Sequence, residues 1–116
     1  MHRVNIKPLS VNDAYRGRRF ASTALKSFKS ELGYLLPKIN VPDGKLKVFY
    51  RFGVSSRASD ADNLCKAFQD CISEQYGFND NKIYALSIEK IDVKRGEEFI
   101  EFEISRFYGE STKKDA

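Results

Sequence analysis

The sequence predicts an α+β fold: a two-layer sandwich in which a four-stranded mixed sheet carries two helices on one face. Apolar and polar residues alternate in four segments, as in strands with one buried face. In two longer segments apolar residues recur every three or four positions, as in amphipathic helices. The segments follow in the order β-α-β-α-β-β. The 116 residues suffice for one core, so we expect a single domain over 1-108 and a flexible C-terminal tail over 109-116.

The N-terminal part of the chain predicts a strand, a loop and a helix. Residues 3–9, RVNIKPL, begin with alternation and suit a short strand. Residues 10–20, SVNDAYRGRRF, are rich in arginine and predict a loop. Residues 21–36 have helical spacing, and Ser22 or Thr23 can cap their start. The predicted core face of this helix is Ala21, Ala24, Leu25, Phe28, Leu32 and Leu35.

The central part predicts a buried strand followed by a second helix. Residues 45–54 alternate, so that one strand face carries Leu46, Val48, Tyr50 and Phe52. The second helix should run from about Ala61 to Gln75, with Ser59 or Asp60 as its N-cap. Its apolar stripe consists of Leu64, Ala67, Phe68, Cys71 and Ile72.

The last two predicted strands cover residues 83–93 and 98–107. The KRGE segment between them contains Gly96, which fits the turn of a β-hairpin. In the final strand Ile100, Phe102 and Ile104 face one way, and Glu101 and Glu103 face the other.

Charge and cysteine content narrow the function classes. A net charge of +4 permits a polyanionic partner without requiring one. Cys65 and Cys71 lie six residues apart on the second helix, about 9 Å, which is too far for a disulfide. His2 is the only histidine, so a zinc site lacks ligands. The sequence has neither an apolar signal core nor a membrane-spanning run, and we expect a cytoplasmic protein without membrane contact.

Acidic residues gather around the second helix although the chain is basic. Asp60 and Asp62 lie where strand and helix meet, and Asp62, Lys66 and Asp70 follow at intervals of four, opposite the apolar stripe. Asp80 lies in the next loop, and we expect it to fold back toward the helix start. Three converging carboxylates would suit Mg²⁺ or Mn²⁺, which polarise phosphate and activate water. Lys66 could then stabilise charge on the phosphate or position the water.

The same residues also have an ordinary structural explanation. The helix macrodipole favours acids in the first turn, and Asp62 with Lys66 is a common ion-pair spacing. A calcium EF-hand is a poor alternative, because Leu64 and Cys65 stand where an oxygen ligand and a glycine are needed.

Residues 60–72, DADNLCKAFQDCI, followed by 77–83, GFNDNKI, resemble the RusA family of Holliday junction resolvases. That family carries a D-x-D-N-L-x-K-A core followed by an acidic pair and an apolar residue. Residues 7–19, KPLSVNDAYRGRR, also resemble the opening of the family. The resemblance implies a small homodimeric, magnesium-dependent endonuclease that cuts four-way DNA junctions and is often encoded by phages or prophages.

The resemblance also implies roles for single residues. Asp60, Asp62 and Asp80 would be the catalytic, metal-binding carboxylates, Lys66 the essential lysine, and Asp70 a supporting group. Asn63 belongs to the same core motif and would also support the site.

The acidic pair of the family departs from its pattern in this chain. Its first member is the neutral Asn79 here, and its second member aligns with Asp80 when the preceding turn is shortened by one residue. In the alternative alignment Asn81 takes that place.

Basic residues near the start of the chain are candidates for phosphate contacts. The YRGRR segment concentrates charge in a loop, and further lysines and arginines follow. The expected DNA-binding residues are Tyr15, Arg16, Arg18, Arg19, Arg57 and Lys66, with Lys26, Lys29 and Arg51 as further candidates.

Three other functions fit parts of this pattern. The chain could be a nuclease that prefers flaps or forks, or a non-catalytic junction-binding dimer, which the neutral Asn79 leaves open. It could also be a protein-interaction module, in which the acids cap helices and the arginines are surface charge. Magnesium-dependent cutting separates the nucleases from the other two, and salt-sensitive DNA binding separates those two from each other.

Overall fold

The predicted α+β sandwich is present in a computed structural model, which describes residues 1–16, 20–56 and 60–109. In chain order the elements are β1 (His2–Val4), α1 (Val11–Ala14), β2 (Tyr15–Arg16), β3 (Phe20–Ala21), α2 (Thr23–Leu35), β4 (Leu46–Val54), α3 (Ala61–Tyr76), a 3₁₀ turn (Asp80–Lys82), β5 (Ile83–Asp92) and β6 (Phe99–Arg106). The side chains of Arg16, Phe20 and Ala21 are outside the description. So are the predictions for Arg18, Arg19, Arg57, Ser59 and residues 110–116 of the tail.

The main sheet has the spatial order β1-β6-β4-β5. β6 lies between β1 and β4 and is antiparallel to both, whereas β4 and β5 are parallel. α3 connects these two parallel strands, as a crossover helix must. A separate ribbon joins β2 to β3.

The core lies between the sheet and the two long helices. Phe68 of α3 is fully buried, and its ring centroid lies 5.2 Å from Tyr50, 6.0 Å from Phe52 and 5.5 Å from Phe102. The predicted core residues of β4 and α3 are all buried. The buried apolar stripe of α3 fixes the rotation of the helix about its axis. It therefore also determines which α3 side chains face solvent.

The helix ends follow the predicted signals. The Ser22 side chain caps α2 by accepting a hydrogen bond from the Leu25 N–H at 3.1 Å. Gly77 ends α3 in the left-handed conformation, with φ of 73°. The predicted α2 core face was too wide, because Ala24 and Leu35 lie at one margin of the stripe and are exposed. Among the described helices, none is long and apolar enough to cross a membrane.

The predicted hairpin between the last two strands is wrong. The turn exists, with Gly96 at φ of 94°, but β5 and β6 lie on opposite sides of β4. The connection crosses the end of β4, where the Val93 N–H donates to the Val54 carbonyl at 2.8 Å. A turn sequence indicates that the chain reverses, but it does not specify whether the two strands that it connects are neighbours in the sheet.

The N-terminal segment is also more ordered than predicted. β1 ends at Val4, earlier than the predicted strand over 3–9. Part of the predicted loop over 10–20 forms α1 and β2 instead. Ser10 caps α1 by accepting from the Asp13 N–H at 3.3 Å, and side-chain capping of so short a helix is weak as a sequence signal.

Candidate functional site

Asp60 and Asp62 lie together at the start of α3. Asp60 is the N-cap residue, with an extended backbone and no capping hydrogen bond from its side chain, and Asp62 is in the first turn. Both are exposed, because the buried Leu64 turns the opposite side of the helix toward the core. Neither carboxylate has a side-chain hydrogen bond or an ion pair with any residue in the described ranges.

This carboxylate pair fits the coordination habits of Mg²⁺. The ion dehydrates reluctantly, and proteins usually hold it through one or two carboxylates, while water and substrate phosphates complete its shell. Asp60 and Asp62 offer two such groups without a competing partner among the described residues. The positive end of the α3 dipole stabilises the negative charge of both.

Asp80 does not join this pair within one chain. It begins the 3₁₀ turn after α3, whereas Asp60 precedes the helix, and the sixteen residues of α3 itself span about 24 Å. The described residues contain no group of three His, Cys, Asp or Glu side chains able to hold a metal ion. The expected folding back of Asp80 toward the helix start is therefore not found.

The surroundings of Asp80 explain its position. The Asn79 side chain caps the 3₁₀ turn by accepting from the Asn81 N–H at 3.0 Å. Asn79, the neutral residue directly before Asp80, thus has a structural role here. Asp80 comes just before β5, whose first residue, Ile83, pairs with Leu46 at the start of β4. Burial raises the pKa of the Tyr50 phenol, and the charges of Cys65 and Asp80 raise it further.

Lys66 pairs with Asp70 and not with Asp62, the other aspartate four residues away. Its Nζ lies 3.3 Å from Asp70 Oδ2, and the Tyr15 hydroxyl donates to the same oxygen at 3.0 Å. The ammonium also lies over the Tyr15 ring, 5.9 Å from the centroid. Burial and the bond to Asp70 raise the pKa of Tyr15. Tyr15 is thus a packed, half-buried side chain that connects α1 and β2 to the helix of the site.

Sequence reasoning missed one polar residue of α3. Gln69 Oε1 accepts a hydrogen bond from the Tyr50 hydroxyl at 2.9 Å and lies 3.8 Å from Cys65 Sγ. The amide satisfies the phenol of a fully buried tyrosine, which otherwise would carry a desolvation cost. The sequence signal for this contact was Tyr50 itself, because a tyrosine on the predicted core face of a strand needs a hydrogen-bond partner for its hydroxyl. Asn63 is half-buried, and its N–H donates to the Asp60 carbonyl at 3.1 Å.

Two of the further basic candidates do not extend the site. Arg51 lies on the sheet face opposite α3, where its guanidinium contacts Glu89 and Glu101, each at 2.9 Å. Lys29 pairs with Glu74 across the two long helices at 2.8 Å. Both side chains form ion pairs with carboxylates outside the acidic pair. Lys66, with 58% of its side chain exposed, remains near the acidic pair.

No protein-family model matches the chain, and no curated protein matches its sequence. The side chains at the start of α3, with the sequence motif that contains them, therefore carry the information about function.

Proposed function

We propose that this chain is a structure-selective DNA endonuclease that resolves four-way (Holliday) junctions by Mg²⁺-dependent phosphodiester hydrolysis. The carrying observation is the pair of carboxylates at the start of α3, Asp60 and Asp62, which have no partner in the described ranges. Lys66 lies one helical turn further along the same exposed side. The D-x-D-N-L-x-K-A motif, which resembles the RusA family, supports the same function.

Each site residue has a distinct task in this proposal. Asp60 and Asp62 would hold the cation, for which Mn²⁺ could substitute, against a phosphate of the bound strand. When bound, the ion polarises the phosphate and lowers the pKa of a coordinated water. Lys66 offsets negative charge that develops on the phosphate oxygens. The arginine-rich segment next to Tyr15 holds neighbouring phosphates by charge.

A homodimer accounts for two features of the proposal. A four-way junction presents two strands for paired cuts, which a twofold dimer with two sites can make. In one chain, Asp80 lies at the opposite end of α3 from Asp60. Two copies with antiparallel α3 helices would place Asp80 of each copy beside Asp60 and Asp62 of the other. We therefore propose that each metal site is completed across the dimer.

The test is cleavage of a labelled immobile junction, beside linear duplex and a fork, in Mg²⁺ and in Mn²⁺. We expect paired cuts near the crossover that EDTA abolishes. Asp60→Asn, Asp62→Asn and Asp80→Asn should each slow cleavage by roughly 100-fold or more, as loss of transition-state charge stabilisation does. Glu103→Gln, on the exposed outer face of β6, is the matched control and should cut normally.

Other outcomes would support the other functions. Faster cutting of the fork than of the junction would indicate a branched-DNA nuclease. Tight, salt-sensitive junction binding without cuts in either metal would indicate a non-catalytic binding dimer. Absence of DNA binding would contradict a nucleic-acid function altogether.

A further inference from the structure

Lys66 has an aspartate four residues away on each side, and its choice between them is unexpected. Helical side chains lean toward the helix N-terminus, and an acid placed before a lysine at this spacing forms the better pair. Both rules favour Asp62. Lys66 nevertheless pairs with Asp70, at 3.3 Å.

Tyr15 supplies the missing cause. Its hydroxyl donates to Asp70 Oδ2 at 3.0 Å, the oxygen that Lys66 also contacts. This bond fixes the Asp70 carboxylate in one orientation. The Tyr15 ring lies under the ammonium, 5.9 Å from Nζ, which adds a cation–π attraction. Two interactions with Tyr15 thus favour the Asp70 side, and the Asp62 side offers neither.

Tyr15 itself is held by its neighbours in the fold. It directly follows the buried Ala14 at the end of α1 and pairs with Ala21 in the β2–β3 ribbon. Its side chain is half-buried and packs against the core. The phenol therefore approaches Asp70 from a fixed direction, and Lys66 is drawn away from the helix start.

We propose that Tyr15 and Asp70 are positioning residues that hold Lys66 off Asp62 and so keep the carboxylate pair available to a divalent cation. A lysine ammonium on Asp62 would occupy the same oxygens and offset the charge that attracts the ion. Tyr15 would act on the metal site without touching the metal. The inference rests on the proposed metal site at Asp60 and Asp62.

The test measures Mn²⁺ binding to the full-length chain by the loss of the free-ion EPR signal, so it does not depend on DNA cleavage. Tyr15→Phe should weaken Mn²⁺ binding by about two- to fivefold, the factor that an exposed ion pair supports. Lys66→Met should restore binding in the Tyr15→Phe background and change it less in the otherwise native chain. Asp70→Asn, which also releases Lys66, provides a second background for the same cycle.

The controls separate this inference from the proposed function. Asp62→Asn should sharply weaken Mn²⁺ binding; if it does not, the proposed metal site is wrong and this inference falls with it. If binding does depend on Asp62, an equal effect of Lys66→Met in the native, Tyr15→Phe and Asp70→Asn backgrounds would overturn the positioning role alone.

Discussion

At the scale of single residues, the two cysteines show how burial controls chemistry. Cys65 and Cys71 are free thiols on the inner side of α3. Burial raises the pKa of each to about 11, because a thiolate is poorly solvated there. The thiolate is the reactive form, so both groups should be inert near neutral pH.

Alkylation by iodoacetamide tests this expectation. Near pH 8 both native thiols should react roughly 100-fold more slowly than in the chain unfolded by guanidinium, since an ordinary thiol has a pKa near 8.5. The raised pKa values also make the stability of the fold depend on pH, because the folded chain holds the two thiol protons more tightly than the unfolded chain does. The resulting stabilisation is complete below the unfolded pKa and is lost as pH rises toward about 11. Mass spectrometry gives both rates, and equal rates in the two states would contradict the burial argument.

The partner of Lys66 shows the limit of sequence reasoning at this scale. Spacing along α3 correctly predicted that Asp62, Lys66 and Asp70 share an exposed side. It could not predict that Lys66 binds Asp70, because the deciding group is Tyr15, which is distant in sequence and donates to Asp70 across the fold. Helical periodicity carries no information about a third element.

At the scale of elements, β4 and β6 contain a close packing arrangement on the outer face of the sheet. Gly53 of β4 lies opposite Phe99 of β6, and the Arg3 guanidinium covers the ring at 3.9 Å from its centroid. Phe99 is buried although none of the described helices covers this face. The absence of a side chain at Gly53 makes room for the ring.

Gly53→Ala should therefore destabilise the protein. A Cβ at this position would overlap the Phe99 ring, and such overpacking costs about 1–3 kcal/mol. Alanine also stabilises the protein by about 0.4–1 kcal/mol, because it lowers the conformational entropy of the unfolded chain. The cost of the overlap is larger, so the free energy of unfolding should fall. Urea unfolding measures the change in free energy.

Gly33→Ala is the matched control. Gly33 lies in α2 with no heavy atom in the path of a Cβ, so alanine should raise the free energy of unfolding by about 0.5–1 kcal/mol. A second check combines Gly53→Ala with Phe99→Val, which should recover part of the loss. Equal effects of the two glycine changes would contradict the packing argument.

The elements themselves were largely predictable, whereas their pairing was not. The apolar stripe of α3 and the buried face of β4 could be predicted from periodicity, because the helical repeat and the strand repeat each determine which side chains share one side of the element. The order of strands did not follow, since β5 and β6 have the same alternation wherever they pair. Their positions differ because the α3 crossover places β5 parallel to β4 on one side. β6 then pairs with the other side of β4.

At the scale of the whole molecule, the positions of the three proposed metal ligands matter most. Asp60 and Asp62 were correctly placed together from their sequence spacing. Asp80 was not, because its approach would have required the chain to reverse over the full length of α3. In the proposed dimer, a second copy of the chain would supply Asp80 at the opposite end of the helix.

Subunit complementation tests this arrangement. Asp60→Asn chains are unfolded together with Asp80→Asn chains and refolded as a mixture. If each site combines both copies, a mixed dimer has one intact site, and the mixture should regain about a quarter of native cleavage, chiefly as single nicks. Each variant refolded alone is the control. A mixture that stays as inactive as its components would show that the ligands belong to one chain.

The position of β6 has a consequence for synthesis of the chain. Among the described strands β1 pairs only with β6, so His2–Val4 find their partners at Ile100–Phe102, about a hundred residues later in the sequence. β6 also completes the second side of β4. The segment from β4 to β5 can associate earlier because its contacts are closer in sequence. A ribosome that stops before Phe99 therefore releases a chain with β1 and one edge of β4 open, which is prone to aggregate rather than partly active.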